Sequence, residues 1–406
     1  MEDLKILVAG HTAHGKSTLV RRLLCESSPL PQERVDRIEE TPKKRVSTRE
    51  PTLFTHRLEN EETEALTTDT TRIMLRTGRR NYTFIETASQ RELLKNIVTG
   101  AVKANAVILV IDASQGLLSQ TCQHAYLTAM FGIEEIIVVV NKMDLKLYNR
   151  LRFWEISEET ADFIKKLKLQ IVAVIPVSAQ YGDNITAKSD KMRWNTSPTL
   201  MKSLDYLSTR VNLTQLPLRF LVQSPAIAGG RATILGIVVS GTLFKGQKII
   251  FGPVHHTTEV LSIRTSSQER GCAEPGESVA LALDDVTNIR SGDVGFNVCD
   301  PPLTTNYLIA DVFWTSTKPL KPADKINILC GTRRCPAQIE KIVKIINLTQ
   351  PDLVCAHGDQ LFESQAGTVR IKLDSPICID PFDKNTELGK FTITDSGRIM
   401  GAGILK

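Results

Sequence analysis

The chain has 406 residues, 42% of them hydrophobic, and a formal net charge of +5. That length allows about two to four domains, each with a real core. The charge is too small to argue for nucleic acid, whose binders carry a clustered basic face, and no apolar stretch approaches the roughly 18 residues a membrane helix needs. The longest basic run, Lys43-Lys44-Arg45, reads as a solvated loop. Met1-Glu2-Asp3-Leu4-Lys5 leads straight into Ile6-Leu7-Val8-Ala9 without the grammar of an export signal, and the eight cysteines form no C-x-x-C pair. The expectation is a cytoplasmic protein with reduced thiols.

In chain order, strands are predicted at 5–9, 81–86, 106–112, 135–141 and 171–178. Several are near-continuous Val/Ile/Leu runs, as in a parallel sheet buried on both faces. Helical periodicity falls between them at 15–25, 91–102, 119–131 and 157–168. This alternation predicts βαβ units over 1–210. Residues 26–66 are polar and interrupted by proline, and form an insertion without a clear element. After about 212 the pattern changes to short β-branched segments separated by Gly, Pro and Asp turns, at 234–240, 246–251, 259–264 and 278–283. That texture predicts small antiparallel barrels. A second break falls at Asp300-Pro301-Pro302. The expected architecture is therefore an α/β P-loop domain (1–210) followed by two antiparallel β-barrel domains, 211–302 and 303–406.

The strand at 5–9 runs into Gly10-His11-Thr12-Ala13-His14-Gly15-Lys16-Ser17, with Thr18 next, and a helix follows. This is G-x-x-x-x-G-K-[ST] in the context it requires. The glycines allow a tight turn whose amides converge on a phosphate. Lys16 is the candidate for neutralising β- and γ-phosphates, and Ser17 for ligating Mg²⁺. Further on, Asn141-Lys142-Met143-Asp144 ends a buried strand. The Asp144 carboxylate can accept from N1–H and the 2-amino group of guanine, a donor pair that adenine lacks. Ser178-Ala179 ends the next strand, where a backbone N–H could reach the guanine oxygen. Each of the last two signals is weak alone; in this order, behind a P-loop, they specify GTP or GDP with Mg²⁺.

The P-loop histidines look like those of translational GTPases. A finer resemblance is carried by Asn96-Ile97-Val98-Thr99-Gly100, by 106–120, by Val177-Ser178-Ala179-Gln180-Tyr181-Gly182-Asp183-Asn184-Ile185 and by Ser197-Pro198-Thr199-Leu200. It continues in the second half through Val239-Ser240-Gly241-Thr242-Leu243, Glu274-Pro275-Gly276-Glu277-Ser278, Pro319-Leu320-Lys321-Pro322, Asp380-Pro381-Phe382 and Leu388-Gly389-Lys390-Phe391. Together these resemble the GTPase subunit of bacterial sulfate adenylyltransferase, within the translation-elongation-factor-like superfamily. The resemblance implies a heterodimer with a smaller ATP-pyrophosphatase-type subunit. That partner makes adenylyl sulfate from ATP and sulfate while GTP hydrolysis drives the equilibrium. It also implies partner-contacting switch segments near 60–70 and 86–95. The three-domain layout equally admits an elongation-factor-like carrier of aminoacyl-tRNA, which the mild charge disfavours, or a nucleotide-bound scaffold recruited to another pathway.

The departures from the family pattern cluster at one end of the site. Where the family has Asp-Thr-Pro-Gly-His, this chain has Glu86-Thr87-Ala88-Ser89-Gln90. By the resemblance, Glu86 stands where a carboxylate holds Mg²⁺ through water. Ser89 offers the γ-phosphate amide and Gln90 is the candidate for orienting the attacking water. Ala13 replaces an Asp, and Ala65-Leu66 precedes Thr67, the candidate switch ligand of Mg²⁺. The groups that grip the nucleotide are mostly retained and those that sense and cleave its γ-phosphate are altered, so the expectation is slow or lost hydrolysis. Outside the site, His124 reads as a helix-packing residue, His255-His256 as a solvated turn, Arg333-Arg334 as an exposed loop, and Trp154, Trp194 and Trp314 as packing anchors.

Overall fold

The structure is a computed structural model that describes residues 2–27, 71–86, 94, 104–208, 213–228, 231–265, 268–346, 348, 354–355, 358–395 and 397–406. Thr67, Ser89 and Gln90 lie outside the described residues. So do the basic run 43–45, nearly all of the 26–66 insertion, the 60–70 switch segment and most of 86–95. The expected 91–102 helix is described only at Leu94, which is helical and buried. The chain divides into two compact units, Met1–Arg210 with Leu348–Asp352, and Val211–Asn347 with Leu353–Lys406.

The first unit is built on a six-stranded sheet. Its strands are β1 (Glu2–Gly10), β2 (Thr71–Arg76), β3 (Arg80–Glu86), β4 (Ala106–Asp112), β5 (Glu135–Asn141) and β6 (Gln170–Pro176). The spatial order is β2-β3-β1-β4-β5-β6, with every pairing parallel except β2 with β3. All seven residues of β4 are buried. A run of Ala-Val-Ile-Leu-Val-Ile is what a strand covered on both faces requires. The helices α1 (Lys16–Ser27), α2 (Ser119–Met130) and α3 (Arg150–Lys166) lie between the strands in chain order, and the short α4 (Leu200–Leu204) follows β6. Helix α3 starts seven residues before its predicted start, because Asn149 caps it by accepting from Arg152 N at 3.1 Å. In a parallel sheet of this kind, ligands bind at the carboxyl ends of the strands. Gly10, Glu86, Asp112 and Asn141 all stand at such ends.

The second unit holds two closed six-stranded antiparallel barrels, each with one short strand appended. The first uses β7 (Arg219–Ala228), β8 (Arg231–Ser240), β9 (Lys248–Gly252), β10 (His256–Arg264), β11 (Ser278–Leu283) and β12 (Val294–Phe296). The second uses β13 (Leu303–Trp314), β14 (Lys325–Cys330), β15 (Arg333–Ile346), β16 (Gln365–Ile379), β17 (Lys390–Asp395) and β18 (Arg398–Leu405). Closure comes from β9 pairing with β10 and from β14 pairing with β15. Alternation is visible along β11, Ser-Val-Ala-Leu-Ala-Leu, where Val279, Leu281 and Leu283 fill the core. Arg333-Arg334 is not an exposed loop: the pair opens β15, and Arg333 is half-buried with its guanidinium 2.9 Å from Asp293. Trp154 also departs from expectation. It is 44% exposed, with the Arg150 guanidinium 3.9 Å above its ring.

The barrels are joined by a buried ion pair. Arg219 of β7 donates through Nε to Asp380 Oδ2 at 2.7 Å and through Nη2 to Oδ1 at 3.0 Å. Its Nη1 satisfies the carbonyls of Leu218 and Asp300, both at 2.8 Å. With both side chains under one-tenth exposed, removing one partner strands the other charge. Arg219→Ala is therefore expected to destabilise this unit by about 3–5 kcal/mol, read as a shift in the urea midpoint of unfolding.

Candidate nucleotide-binding site

The phosphate end is set by backbone geometry. Gly10 has φ of +136°, and a Cβ there would lie 2.3 Å from Val110 O, so only glycine lets β1 turn beside β4. Gly15 has φ of +89°, and a Cβ would lie 2.5 Å from Asn141 Nδ2. Between them Ala13 also takes positive φ, +65°. Such a sequence of left-handed residues turns successive amides into a concavity for an anion, and it opens directly onto the amino terminus of α1. His11 is half-buried, Thr12 and Ala13 are exposed, and Ser17 and Thr18 lie half-buried in the first turn of α1. Lys16 is buried and donates to the carbonyls of Gly10 and His11, both at 3.1 Å. Burial lowers its pKa, opposed by the nearby Glu86 carboxylate.

Two buried histidines support this loop from below. His124 of α2 accepts the Gly10 N–H at Nδ1, 3.2 Å away. Its Nε2 has no hydrogen-bond partner among the described residues. Burial, with the Lys16 charge, pushes its pKa down to about 3. It is the packing residue expected from sequence and a hydrogen-bond acceptor for the P-loop as well. His14 is fully buried, with Nδ1 3.3 Å from Asp112 N and Nε2 3.2 Å from Gln115 Oε1. Val110 O lies 3.2 Å from the same Nδ1. The tautomer that uses both sides accepts from Asp112 N–H and donates to Gln115. Burial lowers the pKa of His14 too.

These histidines predict a pH dependence. In the unfolded chain each titrates near 6.5; in the folded chain both resist protonation, His124 until about pH 3. Below pH 6.5 the unfolded state binds protons that the folded state refuses, so stability falls as pH falls. His124 alone contributes a slope of about 1.4 kcal/mol per pH unit between its two pKa values. Urea unfolding at pH 7, 6 and 5 should show this slope, and His124→Gln should make it shallower.

The guanine end is tied to the phosphate end by Asn141 and Lys142. Asn141 is buried. Its Nδ2 donates to His14 O at 2.9 Å, and its Oδ1 accepts from Ala179 N at 3.0 Å. Lys142, at φ +61°, donates to Ala13 O at 2.7 Å and pairs with Asp112 Oδ2 at 2.8 Å. Burial tends to raise the pKa of Asp112, but hydrogen bonds from Lys142 and from the amide and hydroxyl of Ser114 hold it below the usual carboxylate value. Half-buried Asp144 sits in a single 3₁₀ turn, Met143–Lys146, where its Oδ1 accepts from Ser178 Oγ at 2.6 Å. The structure thus brings together Asn141, Lys142, Asp144, Ser178 and Ala179 beside the P-loop. Asp112 and His124 complete the assembly. Asp112 was not among the residues expected at the site; its only sequence mark is a carboxylate closing the apolar run 106–111, which does not by itself tell its partner.

The cation end is partly described. Ser17 Oγ donates to Glu86 Oε1 at 2.5 Å. The longer side chain of Glu86 therefore still brings its carboxylate to the P-loop hydroxyl. Among the described residues no group of three or more His, Cys, Asp or Glu could hold a metal. A hydroxyl and one carboxylate fit Mg²⁺, which keeps most of its waters and takes few protein ligands, and do not fit zinc.

An α/β sheet with a P-loop at its carboxyl edge and an Asn-Lys-x-Asp turn alongside, followed by two closed barrels, defines a guanine-nucleotide-binding protein of the translational GTPase class. Residues 2–225 match the model of the Elongation factor Tu GTP binding domain, and residues 307–406 match the GTP-eEF1A C-terminal domain-like model. The chain belongs to the elongation factor Tu-like GTPase family. It is 31% identical to Elongation factor 1-alpha of Nanoarchaeum equitans, covering 99% of this chain and 96% of that protein. It is 31% identical to Elongation factor 1-alpha of Methanopyrus kandleri, covering 99% and 97%. With Sulfate adenylyltransferase subunit 1 of Aeromonas hydrophila the identity is 29%, covering 99% and 86%. Its ligands are GTP and GDP with Mg²⁺. No helix among the described residues is long and apolar enough to cross a membrane.

Proposed function

We propose that the chain is the GTP-binding subunit of a sulfate adenylyltransferase-type complex. In this reading it pairs with a smaller ATP-pyrophosphatase-type subunit and couples GTP to adenylyl sulfate formation on that partner. Gly10, His11, Thr12, Ala13, His14, Gly15, Lys16, Ser17 and Thr18 hold the phosphates, while Asn141, Lys142, Asp144, Ser178 and Ala179 hold the guanine. Ser17, Thr67 and Glu86 hold Mg²⁺, which neutralises charge on the phosphates. Ser89 offers its amide to the γ-phosphate, and Gln90 orients the water. The observation that carries the proposal is the contrast within one site: apart from Ala13, the P-loop and the Asn141–Asp144 turn keep the family's residues, whereas the 86–90 box departs from them. This suits a slow switch better than a fast timer. Likeness to the Aeromonas hydrophila protein over 99% of the chain supports it.

The test mixes the purified chain with an adenylyl-transferring subunit, with GTP, GDP or neither, and follows complex formation by gel filtration and single-turnover GTP hydrolysis. The expected result is a one-to-one complex and turnover slowed on the order of 10²–10³-fold against an intact box. No complex in any nucleotide state contradicts the proposal. A second reading, an elongation-factor-like carrier of aminoacyl-tRNA, is favoured by the 31% identity to two archaeal Elongation factor 1-alpha proteins. Retention of aminoacyl-tRNA on a filter at low salt, lost on raising salt, would select it.

A further inference from the structure

Helix α1 carries two side chains that the phosphate site does not use. Arg22 donates through Nε to Ala179 O at 3.2 Å, and its terminal nitrogen donates to Gln180 O. One turn on, Glu26 accepts from Thr186 Oγ1 at 2.6 Å and lies 3.9 Å from Arg22 Nε. Between these anchors Gly182 takes φ of +83°, and a Cβ there would lie 2.1 Å from Glu26 Oε1. The loop 178–186 therefore rests on α1 at three points, and its centre is a left-handed glycine where an added Cβ would be strained by the backbone and would push the Glu26 carboxylate aside. The same loop holds both base-end side chains, Asn141 through the Ala179 amide and Asp144 through the Ser178 hydroxyl.

We propose that Arg22 and Glu26 are positioning residues for guanine recognition. They hold loop 178–186 against α1, so that the loop keeps Asp144 and Asn141 in register with the base. The contacts of both residues run to the loop, Arg22 to Ala179 and Gln180 and Glu26 to Thr186. Two carbonyls of one turn are matched by the two arms of a single planar guanidinium, a geometry that a lysine cannot reproduce. Because α1 begins at the P-loop, phosphate grip and base selection share one rigid element. The inference rests on guanine-nucleotide binding alone and is independent of the partner proposed above.

The test compares affinity for GDP with affinity for inosine diphosphate, which lacks the 2-amino group that Asp144 reads. In Arg22→Ala, GDP affinity should fall about tenfold. The GDP-to-inosine preference should fall severalfold, at unchanged thermal unfolding of the nucleotide-free protein. Glu26→Gln keeps an acceptor for Thr186 and should retain the wild-type preference, while Glu26→Ala should lose part of it. Gly182→Ala attacks the same contact from the loop side and should reproduce the Arg22→Ala signature. It decides the matter if Arg22→Ala fails to fold. A folded Arg22→Ala or Gly182→Ala with the wild-type GDP-to-inosine preference overturns the proposal.

Discussion

Asp144→Asn is expected to abolish guanine selection and to favour xanthine. The wild-type carboxylate is acceptor-only and suits the N1–H and 2-amino donors of guanine. It is held by Ser178 Oγ at 2.6 Å, so its orientation is fixed before the base arrives. The amide keeps one acceptor and replaces the other with a donor, which then faces a donor on guanine and would face the 2-oxo group of xanthine. Two hydrogen bonds to a charged group contribute roughly 1.5–3 kcal/mol each. GDP affinity should therefore fall on the order of 10²–10⁴-fold, and xanthosine diphosphate should bind more tightly than GDP. Equilibrium titration with both nucleotides reads the inversion. The variant should fold normally, because Ser178 can still donate to the amide oxygen.

Lys16→Met should act at the other end and leave base preference alone. The ammonium sits among the carbonyls of Gly10 and His11, and burial already lowers its pKa. Phosphate oxygens supply the full negative charge that these carbonyls lack, as charge-assisted hydrogen bonds. Losing them should weaken GDP by on the order of 10²-fold while the ratio of GDP to inosine diphosphate stays as in wild type. Replacing a desolvated amine by a thioether of similar length should not lower the thermal stability of the nucleotide-free protein. The two variants thus separate the halves of the site: one changes which base is bound, the other how tightly any diphosphate is held.

Much of this was legible in the sequence because the phosphate and base motifs are local demands on the backbone. Gly10 and Gly15 must be glycine, one against Val110 O and the other against Asn141 Nδ2. The apolar runs 106–111 of β4 and 136–140 of β5 announced a sheet covered on both sides, and turn-punctuated alternation announced the barrels. What was not legible depends on contacts between distant segments. Strand β2 escaped because Met74, an apolar residue, is 72% exposed and blurs the alternation of Ile73 and Leu75 with Arg72 and Arg76. The first turns of α3 escaped for a related reason: Leu151 is 66% exposed beside the exposed Trp154, so the apolar stripe is indistinct until Ile156. Asp112, His124 and Arg22 are single residues whose roles appear only when β4, α2 and the 178–186 loop converge on the P-loop. No spacing rule links His124 to Gly10 across 114 positions.

The claim on which the rest stands is that the Gly10–Ser17 turn and the Asp144 carboxylate form one site for a guanine nucleotide. Calorimetric titration of the whole chain with GDP, GTP, ADP and ATP in the presence of Mg²⁺ tests it most directly. One equivalent of GDP or GTP bound, with no heat from either adenine nucleotide, is the predicted result. Absence of guanine-nucleotide binding, or equal affinity for ADP, would contradict it.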